Sequence, residues 1–390
     1  MGVIQYHHQW PENQEITPEF QPGSVSLSSE HSLASVSSLT LSKQPSLTTQ
    51  KHQYITTFKA HTSSISCLTL AGKHLISGSS DHQVRVWSQD SLVTSLIAYG
   101  ESPVKSMVVS GDKLFTGHKD HKICVWNIDE GDSDERRLMK STYVTTLPTF
   151  NDRVAMMFST KNYVKVNHMD AVAALALSHD GDFLYSGSWD RTFKIWRTSD
   201  CKCLETVWNA HDDAINAIVV SEDGYVYTGS SDRKIKVWKK LAGEKKHMLV
   251  DTLEKHKSAV NALALSSDGS VLYSGACDRS ILVWERGSGD RHMVVAGALR
   301  GHSKGVLCIA VVGDLVLTGS TDKTVRIWRG IGGKKYSRVC VLEGHNGPIK
   351  CLAGALDGCT FGECGGTSYL VYSGSLDCDV KVWKVWVPFL

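Results

Sequence analysis

Seven times along the 390-residue chain an aspartate stands six residues ahead of a tryptophan that closes an alternating apolar run. The pairs are Asp81–Trp87, Asp120–Trp126, Asp190–Trp196, Asp232–Trp238, Asp278–Trp284, Asp322–Trp328 and Asp377–Trp383. Each aspartate follows a Ser-Gly or Thr-Gly pair, as in Tyr185-Ser186-Gly187-Ser188-Trp189-Asp190. A unit of this size cannot bury its apolar face alone, so the copies must stack, and the repeat dictates the fold of the whole chain. The prior that a chain of this length makes two or three domains does not apply to such a repeat.

The unit reads as four short strands. In six repeats a histidine (His61, His168, His211, His256, His302, His345) precedes an apolar strand, for example Ile215–Val220 or Val260–Leu265. A turn such as Glu222-Asp223-Gly224 comes next, then the Ser/Thr-Gly strand, then the strand ending on Trp. The side chains are chemically matched. Trp only donates, Ser and Thr donate and accept, and imidazole can bridge a hydroxyl to a carboxylate. Each such link adds about 1 kcal/mol net.

This constellation resembles the WD40 family. The resemblance implies an all-β, seven-bladed β-propeller over 53–390, with repeats ending at Trp87, Trp126, Trp196, Trp238, Trp284, Trp328 and Trp383. It implies one hydrogen-bonded chain in each of six blades: His61, Ser77, Asp81, Trp87; His168, Ser186, Asp190, Trp196; His211, Thr228, Asp232, Trp238; His256, Ser274, Asp278, Trp284; His302, Thr318, Asp322, Trp328; and His345, Ser373, Asp377, Trp383. The second repeat has Gly100 where the histidine belongs, so Asp120 is expected to lose its partner and that blade to be the loosest. The last repeat lacks its own outer strand. The spare strand Tyr54–Phe58 is expected to complete it, leaving no half-blade with an unpaired edge.

A finer resemblance rests on the series Thr146-Leu147-Pro148-Thr149, Lys161-Asn162-Tyr163-Val164, Asp170-Ala171-Val172, Cys203-Leu204-Glu205 and Ala210-His211-Asp212-Asp213-Ala214-Ile215-Asn216. With Ser186 to Asp190 it is similar to the plant Jingubang-like WD-repeat proteins over most of residues 53–385. That resemblance implies a regulator, linked with pollen germination and tube growth.

Three stretches break the rhythm. Residues 1–50 read as a disordered tail, because 21–50 hold ten Ser and three Thr with no aromatic residue. Val36, Leu39 and Leu41 are among the few apolar residues that punctuate it. An insertion over 128–161 begins acidic, with a short helix expected near Asp152 to Phe158 and a strand at Tyr163–Val166 before His168. A second insertion, 357–367, carries four glycines. Both are expected on the side away from the His and Asp turns.

Charge and chemistry narrow the function. With 42 basic against 40 acidic residues the chain is not built to bind nucleic acid or anionic membrane by bulk charge. No run of 18 apolar residues occurs, so no membrane span is expected, and Met1 to Trp10 lack the pattern of a secretory signal. Of eleven cysteines, Cys67, Cys308 and Cys351 occupy the slot held by Ala174, Ala217 and Ala262 in other repeats. They read as small buried residues, and a reducing compartment, cytoplasm and/or nucleus, fits. A Ser/His/Asp set that recurs once per repeat is structural, since a catalytic triad is one constellation. His118-Lys119-Asp120-His121 shows no third convergent ligand, so no metal or cofactor is expected. Gly330 to Lys335 reads as a hairpin loop because it lacks the phosphate-loop spacing.

In the family, contacts come from the residue before the turn aspartate and from the start of the inner strand. Those positions make Trp189, Lys105, Lys119, Asn216, Asn261, Lys350 and Leu376 the candidate partner-binding residues. An exposed Trp among small residues is an interaction anchor, and the three lysines favour an acidic segment. The set holds no Arg and the chain has no Trp-Asp-x-Arg, which disfavours phosphopeptide reading and cullin adaptor binding. The reading is a monomeric, non-catalytic scaffold for other proteins. The alternative is a substrate-recruiting subunit of a ubiquitin ligase.

Overall fold

Alternating apolar residues give each repeat strands with one buried face after another, and four such strands pair antiparallel into a sheet. The structure, a computed structural model, describes residues 36–40, 52–88, 94–129, 139–149, 152, 154, 166–241, 243–287, 292–331, 335–360 and 366–388. Among these, 28 strands (β1 to β28 in chain order) form seven four-stranded sheets. The inner strands of successive sheets pack side by side, and the innermost of the first, Ile65–Ala71, packs on that of the last, Ile349–Thr360. The result is the closed seven-bladed propeller the repeat implies. The strands expected at Ile215–Val220 and Val260–Leu265 have those bounds.

The glycine of each Ser/Thr-Gly pair explains how closely the blades approach. A Cβ at Gly78 would lie 2.7 Å from Cys67 Sγ and 2.8 Å from Val104 Cγ1 at the head of the next inner strand. Gly187 stands in the same way against Ile215, and Gly374 against Ile65 at 2.7 Å, which returns the ring to its first blade. No larger residue fits between the two strands. The core is accordingly laid down between blades, as where Tyr185, Phe193 and Ile195 of one blade meet Ile215, Val226 and Trp238 of the next. Fully burying one such side chain is worth about 1.5–3 kcal/mol.

Ring closure uses the spare strand. β1 (His52–Phe58) pairs antiparallel with β28 (Val380–Pro388), with Tyr54 opposite Trp383 and Phe58 opposite Val380. Phe58 also stacks on Trp87 of the first blade, with ring centroids 4.7 Å apart. One aromatic ring thus ties the closing strand to the blade beside it.

The irregular stretches differ from the sequence reading in three places. Residues 36–40 belong to the compact unit Ser35–Leu390 and lie bridged to Ala298 and Tyr336, so this part of the expected tail is ordered. The remaining tail residues, 1–35 and 41–50, lie outside the described residues. The stretch 128–161 is not one insertion, because β9 (Lys140–Leu147) runs through it as the outer strand of the second blade, with Tyr143 opposite Trp126. β-Branched Thr142, Val144, Thr145 and Thr146 suit that edge position. The strand expected at Tyr163–Val166 is therefore not the outer strand of that blade; residues 163–165 lie outside the described residues and Val166 is not in a strand. β9 ends with Leu147 opposite Ile123, beside the Asp120 turn, which corrects the expectation that the whole insertion lies away from the His and Asp turns. Asp152 and Val154 are helical, and the other residues expected in that helix lie outside the described set. The second insertion lengthens the last blade: β26 (Ile349–Thr360) and β27 (Gly366–Ser375) pair on to Thr360–Thr367 after a register shift beyond Leu356, and β27 and β28 pair to Gly366–Pro388.

Candidate functional site

The seven turns that carry the aspartates share one geometry, and it sets what the face above them presents. In each, the residue after the aspartate (His82, His121, Arg191, Arg233, Arg279, Lys323, Cys378) takes a left-handed backbone with φ between 63° and 73°. That conformation costs about 1 kcal/mol for a residue with a Cβ. In six turns an Asp Oδ1 accepts the N–H two residues on, as Thr192 N–H to Asp190 at 2.9 Å, and so offsets the cost. The residue before the aspartate donates its N–H to the carbonyl just ahead of the inner strand in every blade, as Trp189 to Ala171 at 3.0 Å and Leu376 to Pro348 at 3.0 Å. Seven side chains are thereby held at equivalent places around the ring.

Beneath them run the hydrogen-bonded chains. In six blades Trp Nε1–H donates to the Ser/Thr hydroxyl at 2.7–3.0 Å. The hydroxyl lies 2.7–2.9 Å from His Nε2. His Nδ1 lies 2.8–3.2 Å from the Asp carboxylate. A carboxylate only accepts, so Nδ1 carries a proton and donates it, and in the neutral tautomer Nε2 accepts from the hydroxyl. Burial pushes His61, His168 and His345 below the ordinary histidine range, against the pull of their aspartates. Burial alone would raise the aspartates. The His211 hydrogen bond and the Lys234 and Asp212 N–H groups outweigh it and hold Asp232 at about 2.

The second blade builds the same chain from a different residue. His118, at the end of the Thr-Gly strand, places Nε2 2.8 Å from Thr116 Oγ1 and donates from Nδ1 to the Ser102 carbonyl at 3.0 Å. Trp126 donates to Thr116 Oγ1 at 3.0 Å. Asp120 has no histidine, as expected, and its Oδ2 lies 3.2 Å from Lys122 Nζ instead. Its buried Oδ1 has no hydrogen-bond partner among the described residues. The tryptophan–hydroxyl–imidazole chain is complete here too, which the sequence reading missed. The signal was present as Thr116-Gly117-His118, where the other repeats have Ser or Ala after the glycine. A cleft of about 580 Å³ opens beside it, lined by Tyr99, Glu101, His118, Asp120, Lys122 and Tyr143.

The candidate partner-binding residues divide into two groups. Lys105 Nζ lies 5.7 Å from the centre of the Trp189 ring, which is exposed. Burial first, then the charges of Lys350 and Lys119, lowers the Lys105 ammonium below its ordinary value. Lys105 of the second blade is thus coupled to Lys119 of the same blade, to Trp189 of the third and to Lys350 of the last. Between Lys105 and Lys350 lies a hydroxyl cluster, Ser64 donating to Ser80 at 3.0 Å with Ser66 Oγ 3.4 Å away. Leu376 is exposed on the last blade. On the opposite arc, Asn216 and Asn261 are engaged within the ring. Asn216 donates to Ser231 Oγ at 3.0 Å and to the Val260 carbonyl at 3.1 Å. Asn261 donates to the Val306 carbonyl at 2.9 Å and to Cys277 Sγ at 3.1 Å. Both side chains tie one blade to the next, and their donors are spent. Among the seven candidate residues, the lysines and the tryptophan thus lie on one arc and the two engaged asparagines on the other. Lys105 is half-buried, whereas Lys119 and Lys350 are exposed, so the three cations raise the local positive potential that an anionic group would relieve.

Comparison with known proteins points the same way as the geometry. The family described as "WD domain, G-beta repeat" matches residues 52–88, 161–197, 201–239, 248–285, 293–329 and 336–384. Residues 89–160, the second blade with its substituted histidine, fall between the matched stretches. Among solved structures, "Crystal structure of WD40 beta propeller domain of Doa1" superposes with a TM-score of 0.64 at 23% identity, over 85% of this chain and 96% of that one. Among curated proteins, "Small ribosomal subunit protein RACK1y" of Oryza sativa subsp. japonica is 46% identical over 41 residues, 10% of this chain. The chain spans 12% of that relative's length.

Proposed function

Because the chain belongs to the WD domain, G-beta repeat family, we propose that it is a non-catalytic scaffold holding a partner protein against the arc of Lys105, Lys119, Lys350 and Trp189. The observation that carries this is the Lys105–Trp189 pair, an ammonium 5.7 Å from an exposed indole with two further lysines in its field. The indole supplies a large apolar contact and the lysines select for carboxylates. The partner is a protein with an acidic, aromatic- or leucine-containing segment, met by a monomer in the cytoplasm or nucleus. A plant regulatory role of the Jingubang-like kind, in pollen germination and tube growth, is the specific form that the subgroup resemblance supports.

The test is affinity purification of full-length protein from plant cells, with Trp189→Ala and Lys105→Glu beside the unsubstituted chain. Loss of the same partner from both variants, at least tenfold, with unchanged thermal unfolding, supports the reading. Retention of every partner by both removes this arc from the site. Co-purification with a cullin adaptor would instead favour the substrate-recruiting alternative.

A further inference from the structure

Every blade of a closed ring still presents the outer edge of its fourth strand, and one of these edges is covered. β21 (Met293–Leu299), the outer strand of the fifth blade, has the sequence Met-Val-Val-Ala-Gly-Ala-Leu and no charged residue. Residues 36–40 lie along it as a parallel extension. Leu39 N–H donates to the Ala298 carbonyl at 3.0 Å, and Ala298 N–H donates to the Ser37 carbonyl at 3.0 Å. The same segment reaches the sixth blade, where Tyr336 N–H, at the start of β25 (Tyr336–Leu342), donates to the Leu39 carbonyl at 3.0 Å. Among the described residues, these are the only bridges outside the blade sheets.

The side chains show that the place is built for this. A Cβ at Gly297 would stand 2.4 Å from Leu39 Cγ and 2.9 Å from the Ser37 carbonyl, so only glycine admits the leucine. The register-equivalent outer-strand positions in other blades hold Thr145, Glu205, Asp251 and Cys340, each of which fills that space. Leu39 packs with Ala296 on the cluster of Tyr273, Leu299 and Tyr336. The two phenols of its floor are joined, Tyr273 Oη to Tyr336 Oη, at 2.9 Å. Arg300 closes the upper end, donating from Nη2 to the Val36 carbonyl at 2.9 Å and from its backbone N–H to Thr40 Oγ1 at 3.3 Å. Ser38 and Thr40 pair their hydroxyls at 2.9 Å.

We propose that the edge of the fifth blade, with Gly297, Arg300 and Tyr336, is a binding site for an extended peptide carrying a leucine between two hydroxyl residues, and that residues 36–40 occupy it in cis. The main chain supplies strand addition, and the glycine notch reads the leucine. A partner segment of the same chemistry gains the site only by displacing the chain's own, so the N-terminal residues set the threshold for its binding. This site lies on the rim and is independent of the lysine–tryptophan arc.

Two measurements on the full chain test this. Hydrogen exchange at Ala298 and Tyr336 reads whether the segment covers the edge, since these amides donate to it. In Leu39→Asp both should exchange at least tenfold faster than in the unsubstituted chain. A labelled synthetic peptide spanning residues 33–43 should then bind Leu39→Asp at micromolar concentration. It should bind the unsubstituted chain at least tenfold more weakly. It should not bind Leu39→Asp/Gly297→Val. Absence of binding to Leu39→Asp while both amides are exposed would overturn the proposal. So would binding that Gly297→Val leaves unchanged, or unaltered exchange in Leu39→Asp. A dimer by light scattering that dissociates in Leu39→Asp would overturn the assignment in cis.

Discussion

His118 stands in the space that Gly100 leaves empty: a Cβ on Gly100 would lie 2.7 Å from the imidazole Cε1. The ring supplied by the histidine before the inner strand in six blades comes in the second from the Thr-Gly strand, on the same hydroxyl and tryptophan. Gly100→His alone should therefore overpack the blade and cost about 2 kcal/mol, within the range for inserting bulk into a filled site. The pair Gly100→His/His118→Ser restores the arrangement of the other blades and should recover most of that loss. A urea-denaturation double-mutant cycle checks it, and additive costs would show that the two residues do not share one space.

Phe58 carries ring closure. Its ring is buried and stacked 4.7 Å from Trp87, and its strand caps β28. Phe58→Ala should lower unfolding free energy by about 3–4 kcal/mol. The same substitution at exposed Tyr54, which touches Trp383 only edge-on at 5.5 Å, should cost about 1 kcal/mol. Chemical denaturation of both variants measures the contrast. Equal costs would mean that the seam to the first blade is not where closure draws its energy.

Acid should weaken the ring in two stages. Burial lowers His61, His118, His168 and His345 below 6.5 in the folded state. Their contribution is in full above the unfolded value and is lost as pH falls below it, because the unfolded chain takes up the protons first. Asp232 and Asp278, held at about 2 against an ordinary 3.8, add a second loss as pH drops from 3.8 to 2. Asp232 accounts for on the order of 2 kcal/mol of it. Unfolding midpoints should be flat near pH 7.5, decline below 6.5 and fall steeply below 4. Asp232→Asn should shrink the second stage, and a midpoint independent of pH between 4 and 7 would contradict the neutral buried imidazoles.

Lys194 is fully buried, donates to Thr206 Oγ1 at 3.0 Å and has its ammonium 4.9 Å from the Trp208 ring. Burial pushes it down to about 8 from 10.5. A lysine lowered in the folded state opposes folding while charged, so stability should rise between pH 8 and 10.5. Lys194→Met should raise stability at pH 7 by on the order of 1–3 kcal/mol and remove that rise. Thermal unfolding across pH 7–10.5 reads both effects, and a destabilised Lys194→Met would show that the Thr206 and Trp208 contacts outweigh the desolvation.

The blade count, the strand order, the closing strand and the buried Cys67, Cys308 and Cys351 were legible in the chain, because each comes from a pattern that recurs at one spacing. Periodicity reports what a residue does within its own sheet and against an identical neighbour. It does not report a replacement that comes from another strand, which is why Gly100 read as a lost histidine while His118 had taken its place. Nor does it separate free side chains from engaged ones. Asn216 and Lys105 occupy equivalent positions, yet the amide spends its donors on the next blade while the ammonium faces an indole. Leu39 read as part of a solvated tail because nothing near it in sequence can bury it. The notch over Gly297 exists only once the fifth and sixth blades stand side by side. The sequence by itself determined the ring, since stacking repeats is the one way to bury their apolar faces. The tertiary structure decided which edge is covered and which side chains stay exposed or are engaged between blades, since those depend on contacts between residues that no repeat relates.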